Sequence, residues 1–400
     1  MQGFRVLEWA SYHTGPNAAT LLGMLGAEVI KIEDRERGDV YRGVRRQSGV
    51  SVMGPDGWNV SFRPINLNKK SITLDLKKMR AREIVYRLVQ KSDVFLTNLR
   101  RFALINSGVD YETLSHHNPR LVYVHISGQG LKGPDSELAS NDVSTQARSG
   151  IMTVQRSAEK VPFSPLGLAD QIGSISAAYG ALGALLARER FGIGQEVQAS
   201  QLGSMIWLLA LSLNVRLLAG EELKPVDRQR VPNPLLNVYR CRDGKWLCLA
   251  PGVQSDKYWP LVCQALGIDE LTRDPRFENL DRREENSEEI IAILDRVFAQ
   301  ETRDKWLAVL KERDVFVSPV NNLSDLLTDP QVLENEYIVD YEDPILGAVK
   351  VVGSPFIFSE TPARIHAPTP EFGQHTEEVL TQLAGYSWEE IDELKSQEVI

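Results

Sequence analysis

Apolar residues in the first 130 positions fall into short, nearly continuous runs separated by longer stretches of helical spacing. "FRVLEWA" (4–10), "AEVIKIE" (27–33), "SITLDL" (71–76), "DVFLTNL" (93–99) and "LVYVHISG" (121–128) read as strands. Between them, "GPNAATLLGMLG" (15–26), "RAREIVYRLVQKS" (80–92) and "DYETLSHHNP" (110–119) read as helices, the second with Ile84, Val85, Leu88 and Val89 at helical spacing. Strands that are apolar on both faces and alternate with helices predict an α/β fold around a mostly parallel sheet.

From residue 171 the pattern turns helical. Ile172, Ile175, Tyr179, Leu182 and Leu186 recur about every fourth position, and Ala177, Ala178, Gly180, Ala181, Gly183 and Ala184 keep the element thin. Residues 219–234 are polar and Pro-containing and read as a linker. "YRCRDGKWLCLA" (239–250) predicts a hairpin with Asp243-Gly244 at its turn. A helix over 285–299 follows, so 235–330 forms a smaller α/β region. The strand-like 347–358, a helix from near Thr376 and a helix capped by Ser387 with Glu390 three residues on complete the chain. Residues 331–400 are expected to pack back on 1–218, with the small region inserted between.

The formal net charge is −9, which argues against non-specific nucleic-acid binding. Its distribution is uneven: residues 1–110 carry +7 and residues 111–400 carry −16. That asymmetry admits an anionic ligand at the N-terminal half. The start has no basic stretch followed by an apolar core, and "MIWLLALSLNV" (205–215) is too short to span a bilayer. Cys241, Cys248 and Cys263 form no CxxC pair and read as reduced thiols of a cytoplasmic protein. The scattered histidines offer no metal-ligand spacing.

The unit 15–33 superficially suggests a dinucleotide site, with Glu33 where a ribose-binding acid would stand. Gly15, Gly23 and Gly26 are spaced eight and three apart, so the tight GxGxxG phosphate turn is missing. Walker A spacing is absent too, and no NAD site is expected. Asp170, at the head of the small-residue run, raises a sharper question. Aspartate is a common helix N-cap, and a carboxylate can equally be a nucleophile.

Taken in order, "GPNAATLLGMLGAEVIKIEDRERGD" (15–39), "NKKSITLDLK" (68–77), "DVFLTN" (93–98), "NPRLVYVHISGQGLKGP" (118–134) and "PLGLAD…GALGALLARERFGIGQEVQAS" (165–200) resemble the class III (CaiB/BaiF-type) CoA-transferase superfamily. "GSPFIFSETPARIHAPTPEFGQHTEEVL" (353–380) and "LAGYSWEEIDEL" (383–394) extend the resemblance to nearly the whole chain. It implies a large Rossmann-like domain formed by both chain ends (1–218 and 331–400), a linker (219–234), a small inserted domain (235–330) and two interlocked subunits, identical or paralogous.

The resemblance also makes Asp170 the catalytic carboxylate. An acyl-CoA donor would acylate it, CoA would move to the aspartyl carbonyl, and a carboxylic acid acceptor would collect CoA by the reverse steps. Succinyl-CoA is the expected donor because it is common among relatives. His13 and Thr14 match the acyl-thioester end. Arg35, Arg37 and Leu74–Lys77 match the nucleotide end, with Asn98, Leu99, Arg100 and Arg101 nearby. An arginine that the family often carries is replaced here by Asn106, and Arg100 or Arg101 is expected to compensate. Asp142 and Gln146 match a loop along the CoA path.

Gly252 stands alone where oxalate-type members carry a run of glycines, which argues against an oxalate/formate pairing. Racemization by an α-methylacyl-CoA racemase-type enzyme needs acid and base groups on both substrate faces. Asn141 stands here in place of the histidine that branch carries. An intramolecular CoA-transfer isomerase and a non-catalytic CoA-binding subunit are the remaining alternatives. Tyr239, Trp246, Tyr258 and Trp259 either enclose the acyl chain or form the small domain's core.

Overall fold

The computed structural model describes residues 1–54, 58–154, 165–222 and 227–400. Residues 223–226 of the expected linker lie outside the described residues. Two compact units are present: one is drawn from Met1–Met152, Ser164–Glu222 and Glu334–Ile400, the other mainly from Leu223–Leu333.

Six parallel strands form the sheet of the first unit: β1 (Arg5–Trp9), β2 (Glu28–Asp34), β3 (Lys69–Leu74), β4 (Val94–Thr97), β5 (Val122–Ser127) and β6 (Gln195–Ser200). Their order is β3-β2-β1-β4-β5-β6, so successive strands are added to one side of β1 up to β3 and to its other side from β4 onward. Alternate side chains of each strand go to opposite faces. Leu7, Ile30, Ile32, Ile72, Leu74 and Phe95 face one core, which α2 (Met79–Val89) covers. Val379, Leu380, Ile391 and Leu394 from two C-terminal helices, Thr376–Gln382 and Trp388–Ser396, join it. Val6, Val29, Val94, Leu96 and Val124 face the other core, under α1 (Thr14–Met24).

The long helix over Leu168–Phe191 inverts a simple expectation. Its large residues point outward: Ile175, Tyr179, Leu182 and Leu186 are exposed. The buried face is Ala169, Gly173, Ser174, Ala177, Ala178, Ala181 and Ala184, with the larger Leu185 and Arg188 buried only in its last two turns. Small side chains let this helix lie close on the sheet; a Cβ on Gly180 would come within 2.8 Å of the Val197 side chain. The predicted strand 347–358 ends at Val352. A Cβ at Gly353 would stand 2.2 Å from the Glu336 carbonyl oxygen, and Pro355, two residues on, brings no backbone N–H to extend the ladder.

In the second unit Asn237–Arg240, Trp246–Leu249 and Val317–Val320 form a three-stranded antiparallel sheet. Tyr239, Tyr258 and Trp259 are buried in its core, with Tyr239 stacked on Phe298, while Trp246 is half-buried. Burial pushes the Cys241 thiol up to about 11 and the Cys263 thiol up to about 12, so both stay protonated at neutral pH. No single helix among the described residues is long and apolar enough to cross a membrane.

Candidate active site

Parallel strands place all their carboxyl ends on one edge, and the crevice of such a sheet opens where the strand order reverses. Here that point lies between β1 and β4. Asn98, just after β4, ties the two together: its Oδ1 accepts from the Ser11 amide at 3.0 Å and its Nδ2 donates to the Ser11 carbonyl at 2.8 Å. Gly15 is required by this staple, since a Cβ there would meet Ala10 Cβ at 2.6 Å and Asn98 Cγ at 3.1 Å. Tyr12, in the left-handed region at φ 64°, turns the chain into α1 and brings His13 and Thr14 to the crevice.

A buried ionic network underlies this loop. Lys31 Nζ, on β2, lies 2.7 Å from Glu8 on β1 and 2.9 Å from Asp39, and donates to the Ala10 carbonyl. Lys69 meets the other Glu8 oxygen at 2.7 Å and donates to the Pro16 carbonyl. Asp39 in turn accepts from Ser11 Oγ and from the amides of Tyr12 and Tyr41. A charge taken out of water needs such partners; here they are opposite charges, and the network also holds the backbone of the β1–α1 turn through Ala10, Tyr12 and Pro16. None of these roles was visible in the apolar pattern; the signal was a lysine and a glutamate inside otherwise apolar strands.

Asp170 lies in the first turn of the helix Leu168–Phe191, as its third residue, and does not cap it. That helix is capped from a distance. Asp142, the first residue of the helix Asp142–Ser149, accepts from the amides of Gly167 at 2.7 Å, Ala169 at 2.8 Å and Asp170 at 3.2 Å. Gln146 Nε2 is its fourth donor, at 2.8 Å. Four donors fill the acceptor capacity of a carboxylate. The Asp142 carboxylate, assigned above to the CoA path, is thus engaged by protein donors, one of them Gln146.

Relieved of capping, the Asp170 carboxylate faces the crevice. Its Oδ1 accepts from Thr14 Oγ1 and, at 2.5 Å, from Gln201 Nε2; Oδ2 receives no hydrogen bond from the described residues. Thr14 opens α1, Asp170 lies in the first turn of its own helix, and Gln201 opens the helix Gln201–Leu208. Three helix N-termini thus converge on one carboxylate, each favouring negative charge. Burial pushes the Asp170 pKa upward, while Thr14, His13 and Gln201 oppose that rise. Burial lowers the His13 pKa, against the Asp170 and Asp142 charges that raise it. His13 Nε2 lies 3.0 Å from Gln171 Nε2. Gln201 was missed in the sequence, where it follows β6 with no motif to mark it.

The remaining predicted residues are spread along the same edge. Arg35 and Lys77 line a polar cleft of mixed charge beyond β2 and β3, together with Lys78 and the carboxylates of Asp34, Glu36, Asp75 and Glu398. Arg35 Nε also donates to the Ile400 oxygen at 2.8 Å. Arg37 is exposed nearby, and Arg100 and Arg101 stand exposed beyond β4. Leu74 has its side chain in the core. Leu99 is half-buried, its carbonyl 2.8 Å from His125 Nε2.

Residues 1–376 match the family described as CoA-transferase family III. The chain belongs to that family. It is 30% identical to the (R)-2-hydroxy-4-methylpentanoate CoA-transferase of Clostridioides difficile, covering 100% of this chain and 99% of the relative. It is 31% identical to the succinyl-CoA–D-citramalate CoA-transferase of Chloroflexus aurantiacus, covering 99% and 97%. The crystal structure of a CaiB/BaiF family protein from Brucella suis superposes with a TM-score of 0.83 at 28% identity, over 96% of this chain and 98% of that one. As a family III CoA-transferase the protein is an enzyme, and CoA is its substrate rather than a resident cofactor.

Proposed function

We propose that this enzyme moves CoA from an acyl-CoA to a carboxylic acid through covalent intermediates on Asp170. The observation that carries the reading is the state of that carboxylate, half-buried and held by two donors on Oδ1 while Oδ2 receives no hydrogen bond from the described residues. Oδ2 attacks the donor thioester carbonyl and expels CoA thiolate, giving an acyl-aspartyl anhydride. The thiolate then attacks Cγ, the donor acid leaves, and an aspartyl-CoA thioester remains. An acceptor carboxylate reverses the sequence. Succinyl-CoA is the proposed donor, after the donor named for the relative from Chloroflexus aurantiacus. Arg35, Lys77 and the exposed Arg37, Arg100 and Arg101 supply the positive charge for the CoA phosphates. Asn98 and Leu74 act by shaping the crevice, since their side chains are engaged within the protein.

The test is the intact mass of the protein, and of its Asp170 peptide, after incubation with a panel of acyl-CoAs. The expected result is acyl and CoA adducts at Asp170 that disappear in Asp170→Ala. Unlabelled protein that still turns over would sink the covalent reading. Racemization has less support. Asn141 caps the helix Asp142–Ser149 through the Ser144 amide, and Asp142 is saturated with donors, so that loop presents no acid/base group. Exchange of a substrate α-proton without adducts would restore it.

A further inference from the structure

Two donors share a single oxygen of the nucleophile, and the protein fixes both of them. Thr14 is 4% and Gln201 7% exposed. The Gln201 amide is oriented by Thr145, whose Oγ1 donates to Gln201 Oε1 at 3.2 Å, so Nε2 is the end that faces Asp170. Gln201 Nε2 also donates to Thr14 Oγ1 at 3.0 Å, which directs the threonine proton to Asp170 Oδ1, the acceptor beside it. Ser174 Oγ donates to the carbonyls of both Thr14 (2.8 Å) and Asp170 (2.7 Å), locking the two backbones together. Gly173 leaves room for the pair: a Cβ there would stand 3.1 Å from Thr14 Cγ2 and 3.4 Å from Gln201 Cγ.

We propose that Thr14 and Gln201 are the oxyanion hole for the aspartyl carbonyl, acting in the steps at Asp170 Cγ and not in the step at the acyl carbonyl. This rests on the covalent reading of Asp170 given above. When Oδ2 forms its bond to the acyl carbon and the C–S bond breaks, Oδ1 becomes the carbonyl oxygen of the anhydride without leaving its donors. When thiolate sulfur bonds to Cγ, the electron pair of the Cγ=Oδ1 bond collapses onto Oδ1, where Thr14 Oγ–H and Gln201 Nε2–H already point. The Cγ–Oδ2 bond then breaks, and Oδ2 departs in the donor acid with its electron pair. Attack on Cγ by the acceptor carboxylate uses the same hole. During the first attack the charge develops on the acyl oxygen instead, which these donors do not face.

The experiment is rapid-quench mass spectrometry of single turnovers in wild type, Thr14→Val and Gln201→Leu, with Thr14→Ser as the conservative control. The acyl adduct and the CoA adduct differ in mass and are followed separately. Rates rather than amplitudes are compared, so an unfolded fraction does not enter. Formation of the acyl adduct is expected to change by no more than a few-fold. Formation of the CoA adduct is expected to slow by about 10²–10³-fold for each lost donor, and the acyl adduct to accumulate. Thr14→Ser should return the CoA-adduct rate to within a few-fold of wild type. Equal slowing of both adducts, or an unchanged CoA-adduct rate, overturns the assignment while the covalent reading stands. A wild-type protein that forms neither adduct removes both.

Discussion

Burial and hydrogen bonding pull Asp170 in opposite directions, and the nucleophile needs both. Burial excludes the water that would hydrolyse an anhydride, yet it disfavours the ionised form that attacks. Thr14, His13 and Gln201 offset part of that cost, and the pKa still stays above the ordinary aspartate value. The folded state therefore binds the Asp170 proton more tightly than the unfolded chain does. Stability linked to this group is present at low pH and is lost as pH rises through the folded pKa. Asp170→Asn is expected to be inactive and to melt no lower than wild type at neutral pH. The difference should narrow as pH falls through the folded pKa, because the wild-type carboxylate then becomes neutral. Thermal melts of both proteins across the acid range measure this; a mutant that melts well below wild type throughout would show that the carboxylate is structural.

Helix Leu168–Phe191 carries two messages on two faces. The small face sets the distance from Asp170 to Thr14 and Gln201, and Gly173 is its closest point. Alanine is the better helix former by about 1 kcal/mol, which offsets the crowding of Thr14 and Gln201, so Gly173→Ala should change the melting temperature little. The added methyl pushes Thr14 and Gln201 by a few tenths of an ångström. A loss of about tenfold in kcat is expected, because displacements far smaller than an atom already weaken positioned groups. Steady-state kinetics beside a melt separates this from a folding defect. A drop in both together would place Gly173 in the packing alone.

The opposite face of that helix is exposed among the described residues. Tyr179, Leu186 and Phe191 are joined by Trp207, at 80% exposure, and by Leu211 and Leu218, each at 85%. Exposed apolar groups in such number mark an interaction surface. A second copy of this chain is the proposed partner, consistent with the interlocked dimer implied by the family resemblance. Trp207→Glu combined with Leu211→Glu is expected to lower the mass seen by light scattering from dimer to monomer. A wild-type monomer at micromolar concentration would end that proposal.

Much of this architecture was legible in the chain. Strand runs apolar on both faces demand cover on both sides, and alternation with helices makes the sheet parallel, so β1 to β5 follow from local pattern, whereas β6, QEVQAS, has no apolar run to mark it and joins the sheet by pairing with β5. The capping box at Ser387 and Glu390 and the hairpin turn at Asp243-Gly244 follow from side chains that act within a few residues. Asp170 could be singled out, since a carboxylate heading a run of small residues is chemically conspicuous, but its role could not be read locally. Only the tertiary structure brought Asp142 from 28 residues away to cap the helix in its place. It likewise set Gln201 beside Thr14 across 187 residues of chain, and buried Lys31 between Glu8 and Asp39. Periodicity reports which face of an element meets the core. Which polar groups meet each other depends on how separate elements converge, and that convergence decided the chemistry of this site.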